Sequence, residues 1–185
     1  MTDSKLPVAI LAAAGFEETT FTDFQKALLA AGHTVKVVTP DGGLVQGWHE
    51  EAWGHHFMAD EDLADVLSAD FSSLIVPDGV RGTQTLKGNA HARRFIKAFV
   101  DTGKPVLAVA DAVELFVGAD VAAGRRLTGP ESLRDTLSEA GADWVADEAI
   151  VTQGNVATAV PESRNAARLQ AFLALFEGAE VQEAA

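Results

Sequence analysis

Residues 8–14 read Val-Ala-Ile-Leu-Ala-Ala-Ala, an unbroken apolar run closed by Gly15. A strand with one face in water alternates apolar and polar side chains, whereas an unalternating run suits a strand covered on both faces. Residues 71–76 (Phe-Ser-Ser-Leu-Ile-Val) and 106–110 (Val-Leu-Ala-Val-Ala) have the same character. Between these runs the spacing changes to helical. Phe21, Phe24, Leu28 and Leu29 recur on one face before Ala31-Gly32, and Ala92, Phe95, Ile96, Phe99 and Val100 do so again. Buried strands joined by helices require right-handed crossovers, hence a mostly parallel sheet with helices on both sides. The expected fold is a doubly wound α/β sandwich. At 185 residues it forms one domain, with a core over about 7–176 and a fraying tail at 177–185.

The remaining segments fit that frame. Residues 34–39 make a second strand, 44–59 a polar loop containing Gly and His, and 60–67 a short acidic helix. A helix from Asp111 follows the run 106–110 with no loop between them, and another spans 131–140. Residues 149–152 and 155–158 flank Gln153-Gly154 as a hairpin. Pro161 is expected to open a terminal helix through Leu169, Phe172, Leu173 and Phe176.

Composition excludes several function classes. The 27 acidic and 14 basic side chains leave a formal net charge of −13 and an isoelectric point near 4.6. That surface repels phosphate backbones and anionic lipid, so neither nucleic acid nor a membrane is an expected partner. Residues 1–5 lack the charged and apolar regions of a secretion signal, and a cytoplasmic location is expected. There is no cysteine, which removes disulfides, thiolate metal sites and cysteine nucleophiles together. No Gly-x-Gly-x-x-Gly or Walker sequence follows the first strand, and no serine lies in a Gly-x-Ser-x-Gly context, so no cofactor is expected.

In doubly wound sheets ligands collect beyond the carboxyl ends of the strands. The segments to inspect are therefore 15–20, 40–43, 77–82, 110–113 and 128–130. Several of them are familiar together. Gly15-Phe-Glu-Glu18, Val76-Pro-Asp-Gly79, the segment 103–111 (Gly-Lys-Pro-Val-Leu-Ala-Val-Ala-Asp), Gly124-Arg-Arg-Leu-Thr-Gly-Pro130 and Ala140-Gly-Ala-Asp-Trp144 resemble the ThiJ/PfpI superfamily in order and spacing. The resemblance covers roughly residues 7–176 and implies a flavodoxin-like, class I glutamine amidotransferase-like sandwich. Relatives are deglycases, intracellular proteases and stress proteins.

In that family the resemblance implies a nucleophilic cysteine at the sharp turn after the fourth strand, where a helix N-terminus favours thiolate. Ala110 stands at that position and Asp111 follows it. The glutamate that bonds the family's sulfur falls on Thr20, and the first glycine of its N–H donor loop on Asp78, ahead of Gly79. Gly129 stands where relatives place His or Tyr beside the thiol. A methyl group cannot attack or ionise. A lone Cys-to-Ala exchange would mark an inactivated variant, but the joint change at Thr20 favours a naturally remodelled site, since a buried carboxylate without its thiol is costly.

Among the residues left, Asp111, Glu17 and Asp78 are the catalytic candidates. Asp111 is read first as a helix cap and Glu17 as a loop-bracing acceptor. If the three converge, the pocket is acidic and one carboxyl with a raised pKa can act as a general acid. Glu114 is read as solvated or facing a partner subunit. His49, His55 and His56, with Trp48 and Trp53 nearby, read as a surface or subunit-contact loop rather than a metal site, and no metal is expected. Relatives generally associate through this side of the sheet, so the resemblance implies a homodimer. The expected function is that of a ThiJ/PfpI-type, stress-associated pseudoenzyme lacking cysteine chemistry. The alternatives are an enzyme using these carboxylates on a small-molecule ligand, or an inactive Cys-to-Ala variant of a hydrolase, deglycase or glyoxalase.

Overall fold

The computed structural model describes residues 6–183. In chain order the elements begin with β1 (Val8–Leu11), β2 (Phe16–Glu17), α1 (Glu18–Ala30), β3 (Val35–Thr39), β4 (Leu44–His49), β5 (Ala52–Met58) and β6 (Glu61–Asp62). Next come β7 (Ser73–Val76), α2 (Val80–Lys87), α3 (Ala90–Asp101), β8 (Val106–Val109) and α4 (Leu115–Gly118). The chain continues through β9 (Arg126–Leu127), α5 (Arg134–Glu139), β10 (Asp143–Trp144), β11 (Ile150–Gln153), β12 (Val156–Ala159) and α6 (Asn165–Glu183). Among the described residues the main sheet has seven strands in the order β11-β12-β8-β7-β1-β3-β6. Every neighbouring pair is parallel except β11 with β12. The fold is the expected doubly wound α/β sandwich.

The apolar run at 8–14 owes its lack of alternation to two cores. Val8, Ile10 and Ala12 face the α1–α6 side, where Phe21, Phe24, Leu28 and Phe172 are buried. Ala9, Leu11 and Ala13 face the other side, against Phe95, Phe99, Leu86 and Phe116. β8 divides likewise, with Leu107 and Val109 on the first side and Val106 and Ala108 on the second. Both faces of the central strands thus leave water, which polar alternation would forbid. Asn89 caps α3 by accepting hydrogen bonds from His91 N at 2.8 Å and Ala92 N at 3.1 Å.

Four expectations need correction. The segment 44–59 is not a loop but the β4–β5 hairpin, which adds β2 to form a small three-stranded sheet. It escaped detection because β5 is largely exposed on both faces and carries no period-two apolar signal. The segment 60–67 is not a helix. Asp60 accepts Val37 N at 2.7 Å and Asp62 accepts Ala64 N at 2.8 Å, so aspartate side chains capture the N–H groups of β3 and a turn instead. Pro161 does not open α6, which starts at Asn165; the Pro161 carbonyl accepts a hydrogen bond from Arg168 Nη2 at 2.7 Å. The helix then continues through Glu183 rather than ending before a tail at 177, while residues 184–185 and the polar start at 1–5 lie outside the described residues. Among the described residues no helix is long and apolar enough to cross a membrane.

Candidate functional site

β8 ends at Val109, and the chain turns at once into a 3-10 turn, Ala110–Glu114, that leads into α4. Ala110 occupies the apex with φ +48° and is 1% exposed. A left-handed backbone costs a residue with a Cβ about 1–2 kcal/mol, and such strain persists only where the surroundings impose it. Gly129 lies against this apex. A Cβ there would stand 3.5 Å from the Ala110 carbonyl oxygen and 2.7 Å from Val113 Cγ1, so the 128–130 loop packs on the turn directly. That loop is anchored by Thr128 N, which donates to Thr158 Oγ1 at 3.0 Å.

Beside the apex a cleft of about 540 Å³ opens at the carboxyl ends of the strands. Glu17, Asp78, Gly79 and Asp111 all line it, together with Gly15, Trp48, Glu50, Val80 and Arg81. The three acidic candidates therefore do converge. Glu17 braces its own loop, its Oε1 accepting the Thr19 N–H at 3.3 Å to cap α1. Gly79 caps α2 at φ +129°, and Glu17 N donates to the Asp78 carbonyl at 2.7 Å, tying the loops after β1 and β7 together.

The Asp78 carboxyl is half-buried, and its Oδ1 is buried without a hydrogen-bond partner. Burial pushes this carboxyl above the usual aspartate value. The Thr20 hydroxyl and the Arg168 charge pull it down without cancelling that effect, while Glu17 adds to the rise. Asp111 is also pushed up, chiefly by burial, against a hydrogen bond from its own backbone N–H and with help from the Glu114 charge. Two carboxyls that hold protons more tightly than usual, facing one cleft, are chemically able to donate a proton or to accept a cationic nitrogen.

Sequence reasoning missed the residue beneath this floor. Arg168 of α6 is 2% exposed and fully engaged. Its Nε donates to Ser163 Oγ at 2.8 Å, Nη1 to Asn165 Oδ1 at 2.9 Å and to Thr20 Oγ1 at 3.5 Å, and Nη2 to the carbonyls of Val160 at 3.0 Å and Pro161 at 2.7 Å. Thr20, 3% exposed, thus meets a guanidinium in the position the resemblance reserved for an acid. An arginine on an otherwise apolar helical stripe carries no sequence signal of burial, because the acceptors that satisfy it come mostly from the loop before α6.

Glu18 was missed too. It is 8% exposed, accepts the His55 backbone N–H at 2.8 Å and meets His55 Nδ1 at 2.6 Å. Burial alone would raise its pKa, yet the bonds to His55 and the nearby His49 bring it below the ordinary glutamate value. The hairpin closes on it so tightly that a Cβ at Gly54 would lie 1.9 Å from Glu18 Oε2. His55 is thereby a brace for the hairpin. His49 Nδ1 lies 3.4 Å from Thr19 Oγ1, and Trp48 pairs across the strands with Trp53 at 5.4 Å between ring centroids. Among the described residues no group of three or more His, Asp or Glu is placed to hold a metal. Glu114 is neither free in solvent nor waiting for a partner. It forms an ion pair with Lys87 and accepts Gln84 Nε2 at 3.4 Å, because α2 packs against the turn that carries it.

The chain as a whole is similar to known proteins. The chain is 33% identical over 152 residues to General stress protein 18 of Bacillus subtilis, covering 82% of this chain and 86% of that protein. It is 31% identical over 152 residues to Protein/nucleic acid deglycase 2 of Escherichia coli, with the same coverage of 82% and 86%. A two-domain structure from Anabaena variabilis, containing dj-1/thij/pfpi-like and ferritin-like domains, matches with a TM-score of 0.84 at 26% identity over 92% of this chain and 48% of that one. Drosophila melanogaster DJ-1beta matches in fold with a TM-score of 0.79 at 23% identity, over 94% of this chain and 90% of the other. A family model described as DJ-1/PfpI spans residues 7–173. This chain belongs to the DJ-1/PfpI family.

Proposed function

We propose that this protein is a DJ-1/PfpI-family member whose cleft works without covalent cysteine chemistry, binding a small molecule in a stress-associated role. The observation that carries the reading is Ala110, a buried methyl at a strained apex in a chain without cysteine. Its surroundings have changed in the same sense. Thr20 offers a hydroxyl bonded to Arg168 rather than a carboxylate, and Asp78 brings negative charge where a thiolate or an oxyanion would be repelled. The name General stress protein 18 supports the stress association.

Restoring the sulfur alone tests this. The unaltered chain is expected to consume methylglyoxal at the buffer rate and to show no adduct by intact mass. Ala110→Cys is expected to stay at least about a hundredfold below a cysteine-bearing relative, the usual effect of a missing proton acceptor. Full activity from that one change would instead make Ala110 a simple inactivating exchange. An adduct on the unaltered chain would end the reading.

The same reading includes a homodimer formed through the β4–β5 hairpin. Trp53 is 52% exposed and Met58 78% on β5, the strand that ends this small sheet among the described residues, and Leu44 of β4, paired with Met58, is 56% exposed beside them. Light scattering at micromolar concentration is expected to give twice the chain mass. A monomer there would remove this part of the proposal.

A further inference from the structure

The cleft is charged unevenly. Glu17, Glu50, Asp78 and Asp111 supply its carboxylates, and Arg81 is the sole cation in its lining. Despite four carboxylates in the same cleft, the Arg81 guanidinium makes no ion pair or hydrogen bond among the described residues. It is held by aromatic faces instead, 4.1 Å from the centroid of Trp48 and 5.9 Å from that of Trp53. The stem is gripped from below as well, since a Cβ on Gly15 would stand 2.4 Å from Arg81 Cβ. A guanidinium laid on an indole keeps its fork of N–H donors free and oriented, which suits a carboxylate.

The opposite pole is the carboxylate cluster, in which one Asp78 oxygen lacks a donor. Asp78 Oδ1 is buried in the loop after β7 with no hydrogen-bond partner, a state that native structures rarely leave unexplained. A ligand carrying only negative charge would bring its anion against four carboxylates. One carrying only positive charge would leave Arg81 unused and face its repulsion. Both poles are used together only by a molecule with an anionic and a cationic group.

We propose that the cleft binds a small zwitterion of the amino-acid class, its carboxylate on the Arg81 guanidinium and its ammonium among Asp78, Asp111 and Glu17. The connecting carbons lie against Trp48. The volume of about 540 Å³ is in the range of small-molecule sites and has room for such a ligand. This inference rests on the cleft being a non-covalent binding site, as read above.

Calorimetry on the full chain with δ-aminovalerate, pentylamine and valerate separates the two poles on one carbon skeleton. δ-Aminovalerate is expected to bind about tenfold or more tightly than either singly charged analogue, as charge-assisted contacts at both ends require. Arg81→Gln, an exposed change, is expected to lower δ-aminovalerate to the level of pentylamine and to leave pentylamine bound at least as tightly as before, since the repelling charge is gone. Asp78→Asn is expected to lower it to the level of valerate. Valerate binding as tightly as δ-aminovalerate, an unchanged ratio in Arg81→Gln, or no binding of any of the three at millimolar concentration would overturn the zwitterion. The methylglyoxal and intact-mass measurements report separately on covalent chemistry, so an adduct there with the affinity ratios intact would remove only the earlier reading.

Discussion

Gly79→Ala is expected to lower stability by about 3 kcal/mol and the melting temperature by about 6–12 °C, measured by thermal unfolding. Two costs combine. The residue sits at φ +129°, a region L side chains rarely adopt, and a Cβ would stand 2.6 Å from Gly15 O, 2.7 Å from Phe16 Cα and 2.8 Å from Glu17 N. All three neighbours are backbone, so none can swing aside as a side-chain tip would. The close approach exists because the loops after β1 and β7 are tied by the Glu17–Asp78 backbone hydrogen bond at 2.7 Å. Gly103→Ala is the control. Its φ is +75°, but nothing lies within 4 Å of the added Cβ, so only the conformational cost of about 1 kcal/mol applies. Equal losses in the two variants would remove the close-approach account and leave backbone strain alone.

Arg168→Met is expected to cost about 3–5 kcal/mol at neutral pH, the usual penalty for breaking a buried charged network from one side. The variant leaves the Pro161 carbonyl, the Ser163 hydroxyl oxygen and the Asn165 amide oxygen without their arginine donor, while the Val160 carbonyl keeps only Ser163, whose Oγ donates at 2.7 Å. It also removes the positive charge that favours ionised Asp78. The pH dependence follows from that second effect. Burial already raises the Asp78 pKa on folding, so its protonated form is the one the fold favours, and the benefit is lost as pH rises through the folded value. Without Arg168 the folded value rises further, so ionising Asp78 costs more. The loss in Arg168→Met should therefore be smaller below the ordinary aspartate value of 3.8 than at pH 7. Chemical unfolding of this variant and of Asp78→Asn/Arg168→Met reads this directly, the second change recovering part of the loss at pH 7 but not in acid. A loss independent of pH would show that Asp78 does not sense Arg168.

Much of the architecture was legible along the chain. The β1 run faces two cores at once, which suits a short stretch apolar at every position. The helical stripes of α1 and α3 appear where expected because Phe21, Phe24, Phe95 and Phe99 recur at a turn's spacing. The hairpin at β4–β5 was not legible, since its inward face amounts to Val45, Gly47 and Phe57, too few for a periodic signal, and the rest is backbone pairing and the Trp48–Trp53 contact. The segment 60–67 misled for a related reason. Its aspartates suit a helix surface in composition, but Asp60 bonds β3, which lies elsewhere in sequence, and Asp62 a turn within the segment itself.

For the site, the amino-acid order alone determined that no thiol is available, that a methyl follows β8, and that Glu17, Asp78 and Asp111 stand at the ends of strands. Strand ends in a parallel sheet gather at one edge, so their convergence followed from topology. Tertiary structure alone decided what those groups can do. It set Arg168 under Thr20 across 148 positions of chain, buried Asp78 Oδ1 without a donor, and laid Arg81 on an indole from a separate hairpin. Proton affinity and ligand charge preference depend on burial and on neighbours distant in sequence, and only the folded chain brings those together.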